Sequence, residues 1–171
     1  LPFASAGQGS SQHMSGEMFK LLAGAPLVHV PYKGSAPAVQ DVIGGQIPMS
    51  FETATVALPH VQAGKVRALA VTSAKRSKVL PEVPTLQEAG IADFEVDSWY
   101  AMFVPAKTPK VIIERLNKAL NEVVADPEIR EKLLAQGAEG VGGTPEKLGQ
   151  TVAAEIPKWI KLAKDANIKA D

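Results

Sequence analysis

The chain has 171 residues, 46% of them hydrophobic, and its 18 Lys+Arg balance 18 Asp+Glu for a formal net charge of zero. That apolar content supports a folded core in one ordinary domain, or in one domain and part of another, and excludes extensive disorder. The even charge gives no basic excess for nucleic acid or a membrane surface, no run of about 18 apolar residues spans a bilayer, and the lack of cysteine excludes disulfides, thiol nucleophiles and cysteine metal sites.

Leu1 to Ser5 reads as a strand already under way, and no charged segment and apolar stretch marks a signal peptide, so the chain reads as a processed form or, as the later helices without matching strands favour, as a piece of a longer protein. A Gly/Ser turn, Gly7-Gln8-Gly9-Ser10-Ser11, follows. Gln12 to Ala23 then has helical spacing, with Met14, Met18, Phe19, Leu21 and Leu22 as its apolar residues and Gly24 as its stop. Leu27 to Pro31 is a second strand. The turn Lys33-Gly34-Ser35-Ala36 leads into a helix through Val39, Val42 and Ile43, with Ser35 as N-cap, Pro37 in the first turn and Gly44-Gly45 as its end. Gln46 to Phe51 is a third strand, Glu52-Thr53-Ala54-Thr55 a third turn, and Val56, Leu58 and Val61 mark a helix closed at Gly64. Val66 to Thr72 is a fourth, apolar strand.

This alternation predicts an α/β fold with a mostly parallel sheet. In such sheets ligands sit at the carboxyl ends of the strands, so the turns at Gly9–Ser11, Lys33–Ala36 and Glu52–Thr55 are expected to face one crevice. A helix N-terminus behind Gly and Ser offers unpaired N–H groups to a carboxylate or phosphate, although a plain strand-to-helix connection has the same composition.

Beyond Ser73 the pattern changes. Ala74 to Lys78 is a solvated basic patch, Leu80 to Thr85 a proline-restricted extended segment, and Thr85 caps a short helix closed at Gly90. Phe94 to Val104 is a long extended run. Thr108-Pro109, Asp126-Pro127 and Thr144-Pro145 each open a helix, and Pro157 is expected to kink or divide the last one. These helices have apolar faces but few strands nearby to cover them. The exposed remainder is expected to drive dimerisation or strand exchange.

Several chemistries lack their signatures. Gly7 to Ser11 is neither GxGxxG nor GxxxxGK[ST]. His13, His29 and His60 form no metal-ligand spacing, so no metal or cofactor is expected. Ser35 is not in GxSxG and has no assignable acid–histidine pair. His13 fits an anion site or a helix surface. Glu52 fits a helix cap or a partner for a ligand ammonium or hydroxyl, Lys33 a ligand anion or solvent, and Trp99 and Tyr100 a cleft lining or core packing.

Five ordered motifs carry a resemblance. They are Phe-Ala-Ser-Ala-Gly-Gln-Gly-Ser (3–10), His-Val-Pro-Tyr-Lys-Gly-Ser-Ala-Pro-Ala (29–38), Ala-Leu-Pro-His-Val-Gln-Ala-Gly-Lys-Val-Arg-Ala-Leu-Ala-Val-Thr (57–72), Pro-Glu-Val-Pro-Thr-Leu-Gln-Glu-Ala-Gly (81–90) and Ser-Trp-Tyr-Ala (98–101). With Asp126-Pro127-Glu128 and Gly142-Gly143-Thr144-Pro145, the chain resembles along its whole length the Bug-type substrate-binding receptors of tripartite tricarboxylate transporters.

The resemblance implies a type II periplasmic-binding-protein-like fold that closes two lobes on a small carboxylic or amino acid, a periplasmic location and membrane transporter subunits as partners. By motif position it implies a ligand-binding α/β lobe over residues 1–97 and a crossover strand with helices of an incomplete first lobe over 98–171. The implied ligand-binding residues are Gly9, Ser10, Ser11, His13, Lys33, Gly34, Ser35, Ala36, Phe51, Glu52, Thr53 and Trp99. Two departures accompany it. The family's opening strand and Pro/Gly-rich turn have no counterpart ahead of Leu1, and Glu52 stands where Asp is expected, which bears on ligand size or polarity. The competing readings are an effector-binding domain of a transcription regulator and a small α/β enzyme acting on an anionic substrate.

Overall fold

The structure, a computed structural model, describes residues 1–168. Its element order is β1 (Pro2–Ser5), α1 (Ser11–Ala23), β2 (Val28–Pro31), α2 (Ser35–Ile43), α3 (Ala54–Gln62), α4 (Lys110–Ala125), α5 (Pro127–Ala135) and α6 (Pro145–Asp165). Contacts divide the chain into two compact units. One is Leu1–Ser98 with the stretch from Trp159 onward, and the other is Trp99–Lys158.

In the first unit β1 and β2 pair in parallel, with Phe3 opposite His29 and Ser5 opposite Pro31. The other side of β1 meets the 49–50 segment through the Ala4 N–H to Met49 carbonyl bond at 2.9 Å and a parallel bridge to Ser50. β1 is thus flanked on both sides, which fits its apolar, buried Phe3 and Ala4. The third strand expected at Gln46–Phe51 shrinks to that bridge, and Pro48, which has no N–H to give a ladder, stands within it. The fourth expected strand, Val66–Thr72, is not formed either. It pairs only at its carboxyl end, where Val71 bridges Thr85 and Thr72 accepts from the Val96 N–H at 2.9 Å. Val66 to Ala70 have no ladder partner among the described residues, and Leu69 faces outward.

The buried side of α1 is not the apolar set. Gln12, His13, Ser15, Gly16 and Glu17 are buried, while Leu21 and Leu22 are exposed. The reason is what α1 lies upon: its inner face meets β1, β2 and the polar turns at their carboxyl ends. Gly16 sits against the Phe3 ring so closely that a Cβ there would lie 2.1 Å from Phe3 Cε2. Phe3 in turn meets Phe51 edge-on, with centroids 5.9 Å apart. A second apolar group, Leu86, Phe94 and Val96, is packed by Met18, Phe19, Phe51, Ala70, Ile91 and Trp159.

Three local expectations also change. Residues 86–90 form turns rather than a helix, yet Thr85 and Glu88 make a reciprocal capping pair, with the Thr85 N–H on Glu88 Oε2 at 2.8 Å and the Glu88 N–H on Thr85 Oγ1 at 3.0 Å. The basic patch is partly engaged, because Arg76 Nε lies 2.8 Å from Glu88 Oε2. The N-cap of α2 is Gly34, at φ 111°, and not Ser35, whose hydroxyl is used elsewhere.

The second unit is helical. Asp126 caps α5 as its sequence predicts, accepting from the Glu128 and Ile129 N–H groups, with Pro127 in the first turn. The N-cap of α4 is Pro109, without a side-chain cap. α6 continues through Pro157 as one helix. The loop before α6 is clamped to α4. Asn117 and Asn121 donate to the Gly143 carbonyl at 2.8 and 3.0 Å, and Asn121 Oδ1 accepts from the Gly143 N–H at 2.8 Å. Among the described residues α4 and α5 bury no side chain fully.

Candidate ligand site

The first turn is fixed from within. Ser10 Oγ donates to the Gly7 carbonyl at 2.7 Å and accepts from the His13 N–H at 3.2 Å, so Ser10 is the N-cap of α1. Gly9, at φ 71°, occupies the left-handed region and donates its N–H to His13 Nδ1 at 3.1 Å. A ring nitrogen that accepts is unprotonated, so the neutral His13 ring carries its proton on Nε2. His13 is buried at 3% exposure and stacks on His29 with centroids 3.7 Å apart. His29 Nε2 lies 2.6 Å from Ser5 Oγ. Burial pushes His13 below the ordinary imidazole range, against the opposing field of Glu17. Burial first, then the neighbouring His13 and Lys20, lower His29 to about 4.

The second turn is tied to β1: the Tyr32 N–H reaches the Ser5 carbonyl at 3.1 Å and the Gly34 N–H reaches that of Ala6 at 3.0 Å. This sets Ser35 at the head of α2, while Lys33 and Ala36 remain exposed. The third turn follows Phe51, and Thr53 is the N-cap residue of α3.

Glu52 joins all three turns. Its Oε1 accepts from Gln12 Nε2 at 2.9 Å, from Ser35 Oγ at 3.1 Å and from the Thr53 N–H at 2.8 Å. Gln12 Nε2 also donates to Ser35 Oγ at 3.1 Å, closing a triangle of side chains from α1, α2 and the third turn. Its Oε1 accepts in turn from Ser11 Oγ at 3.2 Å. The other carboxyl oxygen, Glu52 Oε2, is buried and has no hydrogen-bond partner. Beside this network lies a recess of about 20 Å³, lined by Ser11, Gln12, Ser15, Phe51, Glu52, Thr53, Thr72 and Ser98. That is room for about one water or one ligand heteroatom group.

Of the residues expected from the sequence, Ser11, Phe51, Glu52 and Thr53 line the recess, and Ser35 bonds directly to Glu52. Gly9, Ser10 and Gly34 shape the turns behind it. His13 packs beneath and holds Gly9. Trp99 belongs to the second unit. Gln12, Ser15, Thr72 and Ser98 were not singled out from the sequence. Thr72 was accessible to the carboxyl-end rule, because it closes the Val66–Thr72 run. Gln12 gave no signal beyond standing in the first turn of α1.

Among the described residues no group of three or more metal-ligating side chains comes together, and no helix is long and apolar enough to cross a membrane.

The sequence profile of the tripartite tricarboxylate transporter family receptor, TctC, matches residues 1–168. A UPF0065 protein in the tcbD-tcbE intergenic region of a Pseudomonas species is 41% identical over 100% of this chain and 51% of its own. The structure superimposes on R. palustris Rpa4515, solved with adipate, at a TM-score of 0.92 and 38% identity, over 98% of this chain and 56% of that one. The periplasmic binding protein BugD matches at a TM-score of 0.87 and 36% identity, over 100% and 58%. The chain therefore spans about half the length of these relatives, and its α/β architecture is that of the periplasmic binding proteins. By profile, identity and fold, it belongs to the receptor family of the tripartite tricarboxylate transporters.

Proposed function

We propose that these residues form one wall of the ligand site of a periplasmic solute receptor, which captures a small carboxylic acid and presents it to membrane transporter subunits. One observation carries the reading. Three strand-to-helix turns that are distant in sequence meet through Gln12, Ser35 and Thr53 on a single carboxyl oxygen of Glu52, beside a polar recess. Strand-to-helix turns of an α/β sheet are where such folds hold ligands, and the similar R. palustris protein was solved with adipate. In this reading residues 1–97 belong to the ligand-binding lobe and 98–171 to the crossover and helices of the other. The hydroxyls of Ser11 and Ser35 and the Thr53 N–H are already given to Gln12 and Glu52, so the N–H groups of Ser11 and Ser35 at the heads of α1 and α2 bind the acid, and Lys33 adds positive charge at the rim. The ligand is bound and released chemically unchanged. The alternatives, a regulator's effector domain and an enzyme, draw no support from these relatives.

Thermal melting of the complete native polypeptide with a panel of dicarboxylic, tricarboxylic, aromatic and amino acids tests the reading. A bound acid at 100 times its Kd stabilises by about 2.7 kcal/mol. A panel in which no acid raises the melting temperature overturns it. Exposed Tyr100, Met102, Phe103 and Val111 in the second unit favour self-association of this chain. Light scattering that shows a monomer at high concentration counts against that part.

A further inference from the structure

We propose that Glu52 sets the ligand selectivity of this site, by offering Oε2 as an acceptor that only a hydroxylated or amino-substituted carboxylic acid can satisfy. The inference rests on the carboxylate-receptor reading and adds to it the class of acid.

The two oxygens of Glu52 are in opposite states. Oε1 is filled by the Gln12 amide, the Ser35 hydroxyl and the Thr53 N–H, all at 3.1 Å or less. Oε2 is buried without a donor. The donors on Oε1, with Thr53 Oγ1 a fourth at 3.4 Å, come from α1, α2 and the residue after Glu52, so they take up one carboxyl oxygen whichever way the group is turned and leave the other over. A buried acceptor left in this state is unfavourable, and a ligand donor that reaches it removes that penalty outright.

The lining explains the direction of the preference. Glu52 borders a recess whose other polar members are Ser11, Gln12, Ser15, Thr53, Thr72 and Ser98. Hydroxyls and an amide of this kind accommodate either a donor or an acceptor, whereas Oε2 accepts only. A ligand carboxylate placed against Oε2 sets two acceptors face to face. A hydroxyl or ammonium on the carbon beside the carboxylate instead donates to Oε2, while the carboxylate takes the N–H groups at the heads of α1 and α2.

The test compares acids of one skeleton: succinate against malate and aspartate, and glutarate against its hydroxy and amino derivatives. Affinities are measured by calorimetry on the complete native polypeptide and on Glu52→Gln. The donors on Oε1 fix the glutamine amide with its oxygen toward them, so the variant's NH₂ takes the place of Oε2 and turns an acceptor into a donor. The native protein is expected to favour the hydroxy or amino acid by about tenfold or more, and Glu52→Gln to reverse that order. Glu52→Asp, which keeps the carboxyl but withdraws it by one carbon, is expected to lose the discrimination without reversing it, so the proposal stays testable if one variant folds poorly. Equal native affinities for substituted and plain acids, or a parallel weakening of all of them in Glu52→Gln, overturn the assignment and leave the receptor reading standing. Failure of every acid on the native protein brings down both.

Discussion

The Gln12 amide donates to Ser35 Oγ at 3.1 Å across 23 residues of sequence, and its second N–H goes to Glu52 Oε1 at 2.9 Å. One side chain thus ties the first turn of α1 to the first turn of α2 and to the carboxyl group between them. Gln12→Ala removes both bonds and leaves Ser35 and Glu52 less restrained. It is expected to lower stability by about 1–2 kcal/mol and to weaken acid binding more than Ser11→Ala, which removes a single rim hydroxyl. Denaturant unfolding gives the first effect, and calorimetry on both variants the second.

Gly16 stands where α1 crosses Phe3. An alanine Cβ would lie 2.1 Å from Cε2 of a ring that has no exposed surface and is hemmed in by Phe51 and His29. Alanine gains roughly 1 kcal/mol over glycine in a helix interior. Overpacking costs about 1–3 kcal/mol, and here neither the ring nor the helix can move without disturbing the site turns. Gly16→Ala is therefore expected to lower the melting temperature, and a variant as stable as the parent would show that α1 lifts off β1 freely.

Much of this arrangement was legible in the sequence. Gly24 and Asp126-Pro127 punctuate the chain by rules that act within one turn of helix, and the structure follows them closely, while the N-cap expected at Ser35 falls one position earlier, on Gly34. The expectation that three turns share one place also holds, because it needed only the order of strands and helices. Strands 46–51 and 66–72 failed for a different reason. Their composition suits a strand, but a strand exists only where a neighbour supplies a ladder, and Pro48 and the unpartnered Val66–Ala70 run lack one among the described residues. The inner face of α1 is legible only in part: Met18 and Phe19 pack on the Leu86, Phe94 and Val96 group, but Gln12, His13 and Ser15 are buried as well, which helical spacing of apolar residues does not mark. Gln12 was invisible for the same reason: its role is set by Ser35 and Glu52, far along the chain.

In the second unit, Asn121 both donates to and accepts from Gly143, and a Cβ on Gly142 would lie 2.7 Å from Asn121 Oδ1. Asn121→Ala removes both bonds and leaves the entry to α6 held by Asn117 alone. The expected result is a loss of about 1–2 kcal/mol, with faster amide exchange at Gly143 and earlier proteolytic cleavage around residues 140–143. Unchanged exchange at Gly143 would show that the loop is held by its own turn geometry.

The stacked pair His13 and His29 makes acid stability a test of the first turn. His29 titrates near 4 in the folded chain, against an ordinary value of 6.5, and His13 is also lowered. Between about pH 4 and 6.5 the unfolded chain therefore binds more protons than the folded one at these positions, so stability rises with pH across that window. Above it both states are neutral here and the contribution is complete. As pH falls from 6.5 toward 4 it is progressively lost. Protonating His13 also places a proton on Nδ1, facing the Gly9 N–H that now donates to it at 3.1 Å, and so pushes apart the turn that caps α1. Melting temperature against pH is expected to be flat above neutrality and to fall below about 6.5. His29→Gln should flatten that fall, and Glu88→Gln, at an exposed carboxylate paired with Arg76, should leave it in place. The same slope in His29→Gln and in His13→Gln as in the parent would assign the acid sensitivity to carboxylates and remove the imidazole pair from the account.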